Sequence, residues 1–390
     1  MNSSILKNLK KNINMSIDNI NKEINIRSRK LSFRDIIYCS SLMVTNNQSY
    51  DIINASLKIN NIVDVSTCAL IKYKNGIHNT YFNEINKNMI SFIYEGQKNR
   101  IIAVDGTYIN LLKSLINDGF KLSRNGNYCI SLISTLFDVE REIPINYKLF
   151  INNSERDALI KQFKYLNKGD ILIMDRGYYS KKLLYLLNNR SINIIFRLKN
   201  NLKQISSIKN KNDVITFIEY EGTKIKFRII KYKINNKIYY LGTTIYDKNI
   251  KYFKDLYWKR WKIEINFRHS KYNLSMNNIK SKTKNSIIQD IYTHNFVFIL
   301  SSYLQYCLQK NMNYSFKIST SSHLNITVNN ILYYLLYKKA TKNIINKLLT
   351  ILNISKQVSI PIRSGRSYKR IKKRPTNKWC QYGNKYKMVK

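Results

Sequence analysis

The chain has 390 residues, with 67 Lys+Arg against 23 Asp+Glu and a formal net charge of +44. A hydrophobic share of 44% and an aromatic share of 12% exceed what a disordered basic tail carries, so the charge sits on folded structure, long enough for two or three domains. Five scattered cysteines without a C-x-x-C, four histidines off zinc-ligand spacing, no signal-peptide core at the N-terminus and no long unbroken apolar run argue against a disulfide framework, structural zinc and a membrane span.

The first hundred residues read as short helices. Ser32 is the expected N-cap of one and Ser66 of another, after a loop at 60–64. Such helices with basic faces suit a small DNA-binding or dimerisation region, and equally a bundle that only packs.

From about residue 100 the period changes. Ile101-Ile102-Ala103-Val104 is an apolar run ending in Asp105-Gly106. Residues 128–137 and 143–150 read as two further strands turned by charges at 139–142, and 154–166 as a helix capped by Ser154 with Glu155 and Asp157 in its first turn. A second apolar run, Ile171-Leu172-Ile173-Met174, ends in Asp175-Arg176-Gly177 and leads into a helix at 180–187 and a strand at 192–198. Apolar runs separated by helices predict an α/β sheet buried on both faces.

Residues 200–249 alternate as three strands, 214–220, 224–232 and 237–244, which predicts an antiparallel insertion in that domain. A helix is expected over 251–272, and helices alternate with Asn-rich loops from 286 onward. Asp290 is the last carboxylate, and residues 363–390 hold eleven Lys+Arg interleaved with Tyr and Trp. Such a tail can lie along phosphates, or act as a disordered solubilising segment. Overall the chain is organised as a helical region at 1–98, an α/β core at 99–199 and 250–300, a β-rich insertion at 200–249, helices at 301–362 and the basic tail.

The two apolar runs share a grammar of four apolar residues, then Asp, then Gly one or two positions on. Singly, each is as much an ordinary turn as a site; on neighbouring strands, Asp105 and Asp175 would meet in a cleft. The 251–272 helix adds a third carboxylate. Tyr257, Arg260, Glu264 and Lys271 fall within about 60° of arc at 100° per residue. Trp258, Trp261, Ile265 and Tyr272 flank this stripe on one side, and Leu256, Ile263 and Phe267 on the other. Lys259, Lys262, Asn266, His269 and Ser270 form a separate band, the expected solvent face. A polar stripe between two apolar ones is expected to point inward, where its ions need charged partners. Three carboxylates with basic and phenolic groups beside them meet the requirement of two-metal phosphoryl transfer, with hard oxygen ligands suited to Mg²⁺ or Mn²⁺.

The spacing Tyr257-x2-Arg260-x3-Glu264-x6-Lys271 resembles the Y-R-E-K signature of the IS4-type insertion-sequence transposases, which are DDE transposases. The two aspartates, in VDGTYI and LIMDRGYYS, resemble that family's first and second catalytic positions. The resemblance implies a ribonuclease H-like (retroviral-integrase-like) catalytic core of α/β class. It also implies two Mg²⁺ or Mn²⁺ ions held by Asp105, Asp175 and Glu264. Tyr257, Arg260 and Lys271 would position phosphates of the DNA end. Trp258 and Trp261 would stack on an unpaired base, with core packing as the alternative for at least one. The implied partners are double-stranded DNA, both the inverted element ends and the target, and a second copy of the chain in a synaptic homodimer. Cleavage would free a 3′-hydroxyl that attacks target DNA, in a bacterial cytoplasm. The alternatives are a catalytically silent DNA-binding derivative and a nuclease on the same core that cuts without joining.

Overall fold

The computed structural model describes residues 3–26, 30–202, 205, 208, 211–234, 236–279, 281–310, 312 and 315–362, so the basic tail at 363–390 lies outside the described residues. The chain divides into two compact units. One is drawn from Met1–Glu95, Tyr108–Ser131 and Arg268–Lys390, the other from Gly96–Thr107 and Leu132–Phe267.

The first unit is helical. Ser32 caps the Phe33–Asn46 helix in a capping box with Asp35, and Ser66 caps Thr67–Gly76, as their sequences predict. The Lys284–Gln309 helix packs against Asn79–Ile93 and Phe33–Asn46 and is buried on nearly every side, which explains why it lacks a polar face. Inside this unit the Lys74 ammonium meets Asp290 at 2.7 Å, both side chains being buried. Among the described residues no helix is long and apolar enough to cross a membrane.

The strands are β1 (Ile101–Leu111), β2 (Lys121–Leu122), β3 (Cys129–Asp138), β4 (Ile143–Phe150), β5 (Ile171–Met174), β6 (Asn193–Arg197), β7 (Asp213–Tyr220), β8 (Thr223–Ile234) and β9 (Lys237–Thr243). In the second unit they lie in the order β4-β3-β1-β5-β6-β9-β8-β7. Within the first unit, β2 pairs with Cys129 and Ile130 at the start of β3. β1, β5 and β6 are mutually parallel, and their runs of Ile, Leu, Val and Met are buried, as a sheet covered on both faces requires. β7, β8 and β9 are antiparallel and continue the same sheet through β9 on β6. Glu221 and Gly222, at φ 49° and 72°, make the tight turn between β7 and β8.

The register of β1 on β5 is set at their starts. Asp170 accepts from the Arg100 backbone N–H (3.1 Å), from its Nε (3.1 Å) and Nη2 (2.6 Å), and from the Asn167 N–H (2.7 Å). Arg100 O in turn accepts from Ile171 N at 2.8 Å. From there the ladder pairs Ile101 with Ile171 through to Val104 with Met174.

Three expectations are corrected. β1 does not end at Asp105 but runs through Asp105-Gly106 to Leu111. The helix expected over 154–166 spans Glu155–Ile160 and is followed by a separate turn at Phe163–Tyr165, with Gln162 buried between Asn146 and Ser134. The helix expected over 251–272 is two helices, Ile250–Lys259 and Trp261–Tyr272, separated at Arg260. The backbone of Arg260 stays helical (φ −53°, ψ −33°), so the break is a tightened turn, with Arg260 N on Tyr257 O and Ile263 N on Arg260 O, each at 3.1 Å.

Candidate active site

Asp105 and Asp175 occupy the positions directly after the last paired residues, Val104 and Met174, on adjacent parallel strands. Neighbouring strands lie about 4.8 Å apart, so the shared register makes these two residues neighbours at the end of the β1–β5 ladder. Asp175 follows the carboxyl end of β5, and Asp105 lies within β1 at the point where its parallel pairing with β5 ends.

Glu264 comes from the first turn of the Trp261–Tyr272 helix. That segment is fastened to the turn between β3 and β4: Lys259 meets Glu140 at 2.6 Å, and Lys262 meets Glu142 at 3.0 Å and the Val139 carbonyl at 2.9 Å. On the inner side, Asn266 donates to the Tyr147 hydroxyl and Phe267 packs edge-on against the Tyr147 ring.

Arg260 ties the site together. Its Nη2 donates to Glu264 Oε1 at 3.1 Å, and its Nη1 lies 3.6 Å from Asp105 Oδ2. Arg260 is 4% exposed, and its Nε has no hydrogen-bond partner. Burial works against the guanidinium charge, but Tyr257, Asp105, Asp175 and Glu264 outweigh it and hold the group cationic. The buried Tyr257 hydroxyl lies 3.3 Å from Asp175 Oδ1 and is pushed well above its ordinary pKa, chiefly by burial.

Asp105 accepts from the Gly106 N–H at 2.9 Å. Its pKa is nevertheless pushed up to about 6, chiefly by burial, with Glu155 and Glu264 adding to the rise against the opposing Gly106 N–H and Arg260. One guanidinium thus faces several carboxylates, which is the electrostatic signature of a site that attracts further cations. The donor set is all carboxylate oxygen, the chemistry that suits Mg²⁺ or Mn²⁺. Among the described residues no three His, Cys, Asp or Glu side chains converge at metal-holding distance. The fit is therefore one of donor chemistry and of placement beside the end of the β1–β5 pairing.

The inward-facing stripe departs from expectation in two respects. Its Leu256, Ile263 and Phe267 flank is buried, but the Trp258, Trp261, Ile265 and Tyr272 flank is exposed, at 69%, 39%, 46% and 70%. Asn266 and Ser270, expected on the solvent face, are buried instead. The stripe therefore sits at the border between buried and exposed arcs. Neither tryptophan packs in the core; Trp261 carries the Arg260 guanidinium 5.2 Å from its ring. Lys271 belongs to the first unit, where its ammonium reaches the Tyr108 carbonyl at 3.5 Å and burial lowers its pKa.

No motif in the sequence assigns Glu155 or Tyr178 a role, yet the fold brings both close to Asp105 and Asp175. Glu155 is half-buried beside Gly106 and Gly177, and Tyr178 is 1% exposed with an unpartnered hydroxyl influenced by Glu155, Asp105 and Asp175. Tyr178 follows the second Asp-x-Gly directly; nothing local in the sequence marks Glu155. Next to Asp175, an open cleft of about 520 Å³ is lined by Arg176, Arg197, Lys199, Lys237 and Tyr239.

No curated protein matches the chain. The family model described as the transposase DDE domain matches residues 96–300, just over half of the sequence and the stretch that carries both aspartates, Arg260 and Glu264. The chain belongs to the DDE-domain transposases, a family of ribonuclease H-like fold whose members cut and transfer DNA with divalent metal.

Proposed function

We propose that the protein is the transposase of an IS4-type insertion sequence, which cuts DNA at the ends of its own element and joins the freed 3′-hydroxyl to target DNA. The observation that carries this reading is the register that makes Asp105 and Asp175 neighbours, with Arg260 reaching from Glu264 to Asp105. The Y-R-E-K spacing supports the subfamily.

Asp105, Asp175 and Glu264 would hold two Mg²⁺ or Mn²⁺ ions, which when bound activate the attacking oxygen and stabilise the leaving one. The remaining work belongs to the chain. Arg260 keeps its charge in a buried setting, so its guanidinium adds fixed positive charge beside the carboxylates for a phosphate drawn to them. Tyr257 orients beside Asp175, and Lys271 supplies a point charge for a phosphate near the DNA end. Trp258 and Trp261, being exposed, are available to stack on an unpaired base. The cleft of Arg176, Arg197, Lys199 and Lys237 suits a phosphate backbone leading away from Asp175. The helical region at 1–98 would bind element ends or dimerise, and the tail at 363–390 would grip DNA without sequence preference, in a homodimer that pairs two ends in the bacterial cytoplasm.

Glu264→Gln tests this reading, because it removes one charged oxygen ligand while keeping the shape. The expected result is loss of cleavage of an element-end duplex in Mg²⁺ with DNA affinity retained within about threefold. Cleavage at the unaltered rate would remove Glu264 from the metal site.

A further inference from the structure

The nine-stranded sheet ends on β7, whose outer edge meets no other strand among the described residues. In an antiparallel pair, alternate residues of a strand bond to the partner and the others turn their N–H and C=O groups away. Asn212 O takes the Lys231 N–H at 2.8 Å, which fixes the parity. Even-numbered residues bond to β8, and Asp213, Ile215, Phe217 and Glu219 direct their backbone groups outward. Among the described residues Ile215, Phe217 and Glu219 make no hydrogen bond along that edge.

Natural sheets blunt such edges with Lys, Pro or a bulge. This edge has none of the three: the β7–β8 register is unbroken, and no Lys, Arg or Pro stands between Lys211 and Lys224, although β8 carries Lys224, Lys226, Arg228, Lys231 and Lys233. Ile215 and Phe217 are 50% and 63% exposed on one face, while on the other Ile218 is buried and Tyr220 lies against Tyr185 of the Lys181–Asn188 helix. Two copies of a +44 chain can therefore meet along this strand without setting base against base. Charge also favours self-pairing in one register. In an antiparallel pair centred on Ile215, that residue faces the partner's Ile215, and Glu219 faces the partner's Lys211. Centred on Thr216, the pair would set Glu219 against the partner's Asp213; centred on Phe217, it would set Asp213 against the partner's Glu221. Both of those oppose like charges.

We propose that β7 is a docking edge for a second copy of this chain, joined by antiparallel pairing of the two β7 strands centred on Ile215. A single strand pair is a small contact, so the dimer is reversible and concentration-dependent rather than obligate. In the order β5-β6-β9-β8-β7 this edge is four strands from Asp175, and the pairing stands whether or not the chain cuts DNA.

Sedimentation velocity of the full-length chain over a concentration series, without DNA that could itself link copies, tests this. The unaltered chain is expected to show a monomer–dimer equilibrium. Ile215→Pro removes the outward N–H at the centre of the pair but no bond to β8, and is expected to weaken dimerisation about tenfold or more. Should that variant fail to fold, a charge exchange at exposed positions decides. Glu219→Lys, which would face the partner's Lys211, is expected to weaken the dimer severalfold, and adding Lys211→Glu to restore it. An unaltered chain that stays monomeric throughout, or that forms larger species instead of a dimer, would overturn the proposal. So would a folded Ile215→Pro variant that dimerises within about twofold of the unaltered chain, or a Glu219→Lys variant with no effect. Failure of the double variant to restore the dimer would overturn the pairing centred on Ile215.

Discussion

Arg260 shows how much of the site one residue can organise. Its planar fork meets Glu264 and lies near Asp105 from a position 4% exposed, which an ammonium on a flexible stem cannot reproduce. Arg260→Lys is therefore expected to slow end cleavage by about tenfold or more even though the charge is kept; an unchanged rate would remove the bridging role. Asp105, Asp175, Tyr257, Arg260 and Glu264 were legible because each belongs to a short local pattern. Glu155 was not, because it reaches Gly106 and Gly177 only when β1, β5 and the Glu155–Ile160 helix are assembled. The exposure of Trp258 and Trp261 was not legible for a related reason: an aromatic residue at core spacing tells its helical angle but not which neighbours cover it.

The strands were the most legible elements. Apolar runs bounded by charge or Gly mark β1, β5, β6 and the β7-β8-β9 hairpins, and Ser at the first cap position marks helices at Ser32, Ser66 and Ser154. Less legible were continuations: β1 past Asp105, where a polar pair at a strand end looks like a turn, and the break at Arg260, where no Pro or Gly gives warning. The buried Arg100–Asp170 pair, at 2.6 Å, decides the β1–β5 register and hence the spacing of the two aspartates. Asp170→Ala strands a buried guanidinium, so denaturant unfolding should show a loss of about 3–5 kcal/mol, with cleavage lost alongside. A loss below about 1 kcal/mol would contradict this. Gly242 on β9 is constrained by packing: a Cβ there would lie 2.2 Å from the Phe227 ring. Gly242→Ala is expected to lower the melting temperature by several degrees, which a thermal scan reads directly.

Across the molecule, the +44 charge suits polyanion binding but does not locate the chemistry, which the proposed site puts at a few acids among 23. pH also acts on the helical unit. Burial pushes the pKa values of His294 and His323 down to about 4 from 6.5. The unfolded chain therefore binds more protons between those values, so the stability these groups contribute is complete above pH 6.5 and lost as pH falls toward 4, up to about 3 kcal/mol each. A denaturant series across that range should show the loss, and His294→Gln should flatten it; an identical slope in the variant would rule His294 out.

Metal-dependent cutting by Asp105, Asp175 and Glu264 is what the proposed function requires first. The direct measurement is cleavage of a duplex carrying the element end, from the DNA flanking the reading frame, by the full chain and by Asp175→Asn. In Mg²⁺ the unaltered chain is predicted to cut at the element boundary and leave a 3′-hydroxyl, while Asp175→Asn binds the duplex without cutting. Equal cutting by the variant, or cutting by the unaltered chain in a chelator, would contradict it.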